Sequence, residues 1–419
     1  MAATRSSARS SSSSSRREML VRSALAVTAM ALAPHVRGQE NRKKVGFCVV
    51  GIGSLAKNQI IPGLAKCENA KLVALVSGHA AEKAPPIVEK YGLNPKYVYS
   101  YDNYEAIRDN PDIDVVYVVL PNSMHAEYTV RAFKCGKHVL CEKPMANSVE
   151  DCRQMIDAGK AAGKKLMIGY RLRHEPVNMR AITLARGAAA SGEHGGGTGG
   201  GDGGLTLTPQ TPPKDNLPKG GQLTLHPGGM IGDIKGIEAG AGFNIGDPTQ
   251  WRLKKQFAGG GSMMDIGIYA LNACRYLSGE DPVEVTAMTY STPDDVRFKE
   301  VEETMLFTLR FKSGLLANCT STYGWGINRY RVTGTKGVVQ SEPFLSYTGL
   351  KLFSRLPGQR ELEEVKIDQK DHFASEMDYF AECVRGGKEV RTPGEEGLAD
   401  MRVIEACYRA AKSGRAEKV

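Results

Sequence analysis

From Lys44 onward, short apolar runs alternate with stretches whose apolar residues recur every three or four positions. Val45–Val50, Lys71–Ser77, Asp114–Leu120, Lys137–Cys141 and Lys165–Ile168 read as strands, the apolar runs among them being buried on both faces. Ser54–Cys67, His79–Tyr91, His125–Cys135 and Ser148–Ala162 read as the intervening helices, with Pro85-Pro86 in the first turn of the second one or breaking it. Alternation of β and α at this spacing predicts a parallel, doubly wound sheet.

The pattern changes after about Tyr170. One helix follows, Pro176–Arg186, and residues 188–228 then hold 12 Gly and 5 Pro in 41 positions. That composition supplies no core, so a mobile insert is expected there. A helix over Met263–Leu277 stops before Gly279. Strands then follow in succession: Val283–Thr289, Thr304–Phe311, Leu315–Ser321, Tyr330–Gly334, Val338–Ser341 and Leu350–Phe353. His372–Arg385 and Gly394–Lys412 close the chain as helices. Consecutive strands with short turns predict an α+β domain with a largely antiparallel open sheet over 171–419, behind an N-terminal α/β domain over 39–170.

Charge and composition narrow the class. The 419 residues carry a net charge of +9, but residues 1–38 supply +5 of it through six arginines against Glu18. The body is mildly basic and shows no lysine- and arginine-rich run, so nucleic acid is excluded as a partner. Residues 1–38 combine a Ser-rich start, the pair Arg16-Arg17, a short apolar stretch from Ala24 to Pro34 and small-residue cleavage sites at Ala29-Met-Ala31 and Ala31-Leu-Ala33. This describes a signal peptide too short to span a bilayer, and the paired arginines resemble a twin-arginine export signal. An exported, periplasmic or secreted protein is expected, with no membrane partner after signal removal. Such export carries folded proteins, so a non-covalent cofactor can be loaded first. The nine scattered cysteines form no CxxC pair and read as small buried hydrophobes, not a disulfide frame or a zinc site.

Between the first strand and first helix stands Gly51-Ile-Gly53-Ser54-Leu-Ala56, a G-x-G-x-x-A pattern. Gly51 permits the tight turn, Gly53 lets backbone approach a pyrophosphate, and Ala56 permits close helix–strand packing. The helix N-terminus offers unpaired N–H groups to the phosphates. The expectation is a dinucleotide-binding Rossmann domain. At the end of the second strand, where NAD sites place Asp or Glu, the chain reads Ser77-Gly78-His79, with Lys83 nearby. A hydroxyl, backbone N–H groups and an ammonium accept a 2′-phosphate that a carboxylate repels, so NADP is favoured. Ser77 and His79 also read as caps of the next helix. Leu120-Pro-Asn122-Ser-Met-His125 lies at a strand's carboxyl end, beside the cofactor crevice; Asn122 and His125 equally suit a helix start.

Two further segments carry chemistry. Cys141-Glu142-Lys143-Pro144 ends a strand, and Pro144 keeps Lys143 out of helical geometry, so that its ammonium can project. Gly259-Gly-Gly-Ser262-Met-Met-Asp265-Ile-Gly-Ile-Tyr269 places Asp265 and Tyr269 four apart on one helix face. Ser262-x-x-Asp265 also reads as a capping box, Tyr269 as a core aromatic and Lys143 as a surface lysine.

Together, Glu142-Lys143-Pro144, Leu120–His125, Gly169-Tyr-Arg171, Trp251-Arg252-Leu253 and the Gly259–Tyr269 segment resemble the glucose–fructose oxidoreductase branch of the inositol dehydrogenase-like superfamily. Ser77-Gly78, Asn272–Leu277 and Pro393–Gly397 fit the same branch, and Tyr269 stands where the wider family often has His. The resemblance spans about Val45 to Arg415, apart from the insert. It implies that Tyr269 is the acid/base on the sugar hydroxyl, that Lys143 lowers the phenol from its free value near ~10, and that Asp265 orients hydroxyls. Expected cofactor contacts are Gly51, Gly53, Ser54, Ala56, Ser77, Gly78, Lys83, Leu120, Asn122, His125, Glu142 and Lys143; Arg171, Trp251 and Arg252 would form the cofactor or substrate wall. The implied cycle oxidises glucose at C1 to gluconolactone with bound NADP and reduces fructose to sorbitol. A homodimer or homotetramer through the open sheet face is implied as well. An ordinary dissociable sugar or polyol dehydrogenase, a nicotinamide-dependent glycosidase and a non-enzymatic dinucleotide-binding protein use the same residues and stay open.

Overall fold

Each apolar run upstream of Tyr170 forms a parallel strand. The computed structural model describes residues 43–187 and 229–419; the expected export segment and the Gly/Pro-rich insert lie outside the described residues. The first sheet holds β1 (Val45–Val50), β2 (Ala70–Val76), β3 (Val98–Tyr99), β4 (Val115–Val118), β5 (His138–Glu142) and β6 (Leu166–Gly169). Its order is β3-β2-β1-β4-β5-β6, with every pairing parallel. All six residues of β1 and all four of β4 are buried, which is why these strands read as unbroken apolar runs.

Helices follow the strands: α1 (Ile61–Lys66, preceded by a π turn over Ala56–Ile60), α2 (Ala80–Lys83), α3 (Pro85–Tyr91), α4 (His125–Lys134) and α5 (Val149–Ala162). The expected helix over His79–Tyr91 is interrupted at Ala84, because Pro85 opens α3. Ser148 caps α5 by accepting from the Asp151 N–H at 3.1 Å, and Gly163 ends it at φ 60°.

The second sheet has nine strands in the order β14-β13-β12-β11-β7-β10-β9-β8-β15. They are β7 (Ile234–Gly242), β8 (Pro282–Tyr290), β9 (Thr304–Phe311), β10 (Leu316–Thr322), β11 (Ile327–Gly334), β12 (Val338–Ser341), β13 (Leu352–Arg355), β14 (Glu363–Val365) and β15 (Glu417–Lys418). All pairings are antiparallel except β7 with β10. Its helices are α6 (Pro176–Arg186), α7 (Lys255–Ala258), α8 (Ile268–Ser278), α9 (His372–Gly386) and α10 (Gly394–Ser413). Gly267, just before α8, meets β10 so closely that a Cβ there would lie 2.6 Å from the Ser321 Cβ.

The chain does not divide cleanly at Tyr170. Helix α9 returns to the first sheet, where Phe373, Met377, Phe380 and Ala381 share a core with Val45, Phe47 and Val49 of β1. Asp378 accepts the backbone N–H groups of Glu68 and Asn69 at 2.8 and 2.7 Å, which fixes the start of β2. Truncating Phe380 to alanine would cost about 3–5 kcal/mol on this packing. Lys44–Val419 is accordingly one unit.

The Asn272–Leu277 and Pro393–Gly397 segments meet in a buried charge cluster. Arg275 pairs with Asp400 at 2.6 Å and Glu396 at 3.1 Å, and Tyr170 donates to Asp400 at 2.6 Å. Burial holds Asp400 above the usual carboxylate range even beside Arg275. These residues clamp α8 to α10 and thereby place the residues at the start of α8. All nine cysteines are buried free thiols.

Candidate active site

The turn after β1 has room for a ligand where the sequence predicts it. Gly51 sits at φ +99°, and a Cβ there would lie 2.2 Å from the Val119 carbonyl at the end of β4, so only glycine fits. Gly53 and Ser54 are exposed, and a Cβ on Gly53 would meet nothing within 4 Å. The Lys57 N–H bonds the Gly53 carbonyl at 3.0 Å, so the helix starts there with its first N–H groups facing the opening. Ala56 is fully buried beneath it. β1 and β4 are neighbours at the point where the strand order reverses, the usual crevice for a dinucleotide in such a sheet. The cradle fits that cofactor.

At the end of β2 the structure divides the expected contacts. Ser77 is buried, and its Oγ accepts the His79 N–H at 3.1 Å, so it shapes the turn, but neither it nor His79 caps the helix that follows with its side chain. Gly78 is exposed and passes over the Tyr101 ring, 2.8 Å from where a Cβ would be. Lys83 is partly exposed on α2, and no carboxylate stands at 77–79.

Three residues expected at the cofactor have their side chains engaged within the fold. His125 is buried with Nε2 at 2.9 Å from the Leu120 carbonyl and Nδ1 at 2.8 Å from the Pro144 carbonyl, so neither ring nitrogen is left for a ligand. Burial lowers its pKa against the two carbonyl acceptors, which pull the other way, and the ring pins the loops after β4 and β5 together. Glu142 turns inward and accepts from the Tyr117 hydroxyl at 2.7 Å; burial raises its carboxyl. The Tyr117 hydroxyl is also 3.3 Å from Glu376, whose carboxyl burial and the opposing Glu142 push well up. Asn122 is buried and donates to the Ala258 carbonyl at 2.9 Å, tying the β4 loop to α7. Leu120 is buried at the strand end.

The catalytic candidates converge. Lys143, carried by the end of β5, places its ammonium 4.6 Å from the centroid of the Tyr269 ring on α8. It donates to the Asp265 carbonyl oxygen at 2.6 Å and lies 3.4 Å from Asp265 Oδ1. The expected neighbourhood is present, but the ammonium covers the ring face and bonds Asp265, rather than the phenol oxygen. Asp265 does not cap its helix: Ser262 Oγ instead accepts from Ser321 Oγ at 2.7 Å. Its Oδ2 accepts from Arg252 Nε at 3.1 Å and from the Tyr323 hydroxyl at 3.0 Å. Burial works to raise the Asp265 carboxyl, but Arg252 and then Lys143 outweigh it and hold the group below its ordinary value. Asp265 is thus a fixed anion between two cations and a phenol.

Arg252 stacks 4.7 Å from the Trp251 ring, with both side chains partly exposed on the cleft wall. Arg171 is buried, and lies 5.3 Å from the Tyr269 ring and 4.7 Å from the Tyr347 ring. It backs the wall rather than forming its surface. Tyr323 and Tyr347 were not legible in the sequence: each lies in a loop of the second sheet, and no spacing connects either to Asp265 or Tyr269. Such a constellation, with a phenol, an ammonium and a carboxylate beside a dinucleotide cradle, can move a proton on a hydroxyl or carbonyl while a nicotinamide exchanges hydride.

Comparison with known proteins identifies the family of both domains. Residues 45–170 match a family model described as the oxidoreductase family, NAD-binding Rossmann fold, and residues 227–419 match its C-terminal alpha/beta domain. A D-xylose 1-dehydrogenase [NADP(+)] of Haloarcula marismortui is 28% identical over 88% of this chain and 91% of its own length. A 1,5-anhydro-D-fructose reductase of Ensifer adhaerens is 25% identical over 88% of this chain and 97% of its own. The crystal structure of an aldose-aldose oxidoreductase from Caulobacter crescentus, complexed with glycerol, is 44% identical, covers 90% of this chain and 100% of that one, and superposes with a TM-score of 0.78.

Proposed function

The chain belongs to the GFO/IDH/MocA oxidoreductase family, and from that premise we propose that it is an NADP-dependent sugar oxidoreductase that passes hydride from one sugar to another. The observation that carries this is the meeting of Lys143, Asp265 and Tyr269 at the carboxyl ends of β4 and β5, next to the Gly51–Ala56 cradle. NADP, when bound, would supply the hydride acceptor and donor; Gly51, Gly53 and the following helix start would hold its pyrophosphate, and Gly78 and Lys83 would receive the 2′-phosphate.

The chain's own residues do the proton work. Tyr269 takes the O1 proton of an aldose as hydride leaves C1, giving the lactone. It then returns that proton to the carbonyl oxygen of a second sugar as hydride arrives at the carbonyl carbon. Lys143 holds its ammonium over the phenol ring, and Asp265 fixes that ammonium. The sequence resemblance favours fructose as acceptor. The 44% identity to an aldose-aldose oxidoreductase over the whole of that chain favours a second reading, in which another aldose accepts the hydride.

A redox-neutral cycle suits an exported protein that meets little free nucleotide, and the twin-arginine-type segment at 1–38 belongs to this proposal. Assembly through the open face of the nine-stranded sheet also belongs to it, supported by the neighbouring exposed Met288 and Leu306 on β8 and β9. The test is to denature the purified protein and identify the nucleotide released. Retained NADP(H), with ping-pong kinetics for two sugars, is the expected result. An empty protein that turns over only with added nucleotide would make it an ordinary dissociable dehydrogenase.

A further inference from the structure

We propose that Tyr347 is a substrate-contacting residue that donates a hydrogen bond to a hydroxyl of the bound sugar and so sets which sugars are taken; this rests on the sugar oxidoreductase reading above. Tyr347 lies in the loop between β12 and β13, without regular secondary structure, yet the loop is tied down residue by residue. Asn328 Oδ1 on β11 accepts the N–H groups of Phe344 and Leu345 at 2.9 and 3.0 Å, and its Nδ2 donates to Ser346 Oγ at 2.9 Å. Arg171 donates to the Leu345 carbonyl. The next residue, Tyr347, is then left 46% exposed.

The guanidinium that anchors this loop also fixes where the phenol stands. Arg171 is 3% exposed and is held at Nη1 by His372 Nδ1 at 2.8 Å. It lies 4.7 Å from the Tyr347 ring and 5.3 Å from the Tyr269 ring, so one rigid cation spaces two phenols along the same wall. Among the described residues the Tyr347 hydroxyl has no hydrogen-bond partner. A large aromatic left half in water, on a loop held by four hydrogen bonds, contributes little to folding. Its cost is understandable if a ligand completes the burial. A phenol suits a pyranose, offering an apolar face to its C–H groups and one hydroxyl to its rim.

The two phenols have different tasks. Burial, and then the neighbouring Tyr269, push Tyr347 up to about 12, with Glu142 and Asp265 adding to the rise against Arg171. Tyr347 therefore remains a protonated donor across the working pH range and does not compete with Tyr269 for the substrate proton.

The test compares wild type with Tyr347→Phe on glucose and its 2-, 3-, 4- and 6-deoxy derivatives, reading kcat and KM separately and the NADP content of each protein. Wild type should lose about tenfold in kcat/KM on one deoxy sugar, as expected for one hydrogen bond. Tyr347→Phe should lose about the same on glucose, mainly through KM, and lose nothing further on that one sugar. Unchanged NADP content and thermal stability separate this from a folding defect. Equal kcat/KM for wild type and Tyr347→Phe on glucose overturns the proposal, as does an equal penalty from the substitution on every deoxy sugar. A wild type that turns over no sugar at all overturns the function itself, and is read from the wild-type measurements alone.

Discussion

Lys143 and Tyr269 stand on different sheets' frameworks, 126 positions apart in the chain, and the lysine ammonium lies 4.6 Å from the centre of the tyrosine ring. The contact requires that β5 and α8 be held in register. His125 fixes the Lys143 loop through the Pro144 carbonyl, and the Arg275 cluster fixes α8 against α10. The chemistry thus depends on two buried polar anchors that touch no substrate.

The two cradle glycines separate folding from cofactor binding. Gly51→Ala places a methyl 2.2 Å from the Val119 carbonyl at a positive φ and should destabilise the protein by more than 1 kcal/mol, roughly the scale of such backbone strain. Gly53→Ala meets no atom within 4 Å, so its melting temperature without nucleotide should match wild type while NADP binding falls sharply. Thermal melts with and without NADP check both. Equal nucleotide binding by wild type and Gly53→Ala would place the pyrophosphate elsewhere.

Much of this was readable from the chain, and the failures have physical causes. The first sheet was legible because its strands are apolar on both faces. Strand β7 was not, although it lies inside the second sheet between β11 and β10. It carries Gly236, Gly240 and Gly242, and a Cβ on Gly240 or Gly242 would strike Ile327 or Thr322. Neighbouring side chains occupy the volume that would have signalled a strand. Lys143, Asp265 and Tyr269 were legible as motif residues. The inward bonds of Glu142 and His125 were not legible, because a polar residue at a strand's carboxyl end reads alike whether it meets a cofactor or pins a loop. Tyr323 and Tyr347 reach the site only through tertiary packing.

Tyr323 positions Asp265 through a 3.0 Å hydrogen bond. Tyr323→Phe removes a bond to a charged acceptor, worth about 1.5–3 kcal/mol, and leaves Oδ2 with Arg252 alone. A roughly tenfold or greater loss of kcat with little change in nucleotide content is expected from steady-state kinetics. Full activity would show that Asp265 needs only its two cations.

His372 makes stability depend on pH. Burial, and then Arg171, lower its pKa to about 4 in the fold, against about 6.5 in an unfolded chain. Below pH 6.5 the unfolded chain takes up a proton that the folded protein refuses. Its contribution is therefore complete above pH 6.5 and drains away as pH falls to about 4, by roughly 3 kcal/mol. Urea titrations should show wild type losing more stability than His372→Gln across that window. Parallel curves would mean that His372 does not remain neutral.

Arg275→Met leaves Asp400 buried without its cation, while Glu396 keeps Arg173 at 3.2 Å. A loss of about 3–5 kcal/mol in unfolding free energy is expected, together with weakened activity as α8 loosens. Chemical denaturation checks the first and kinetics the second. Unaltered stability would show that Asp400 simply takes up a proton.

The most direct measurement follows one hydrogen. Glucose deuterated at C1 is incubated with purified protein and an unlabelled sugar acceptor, with no nucleotide added. The account predicts deuterium at the former carbonyl carbon of the reduced acceptor, and a fall of roughly 10²–10⁴ in that transfer for Tyr269→Phe. Label that stays on glucose, or leaves it only into NADP supplied from outside, would contradict a closed transfer between two sugars.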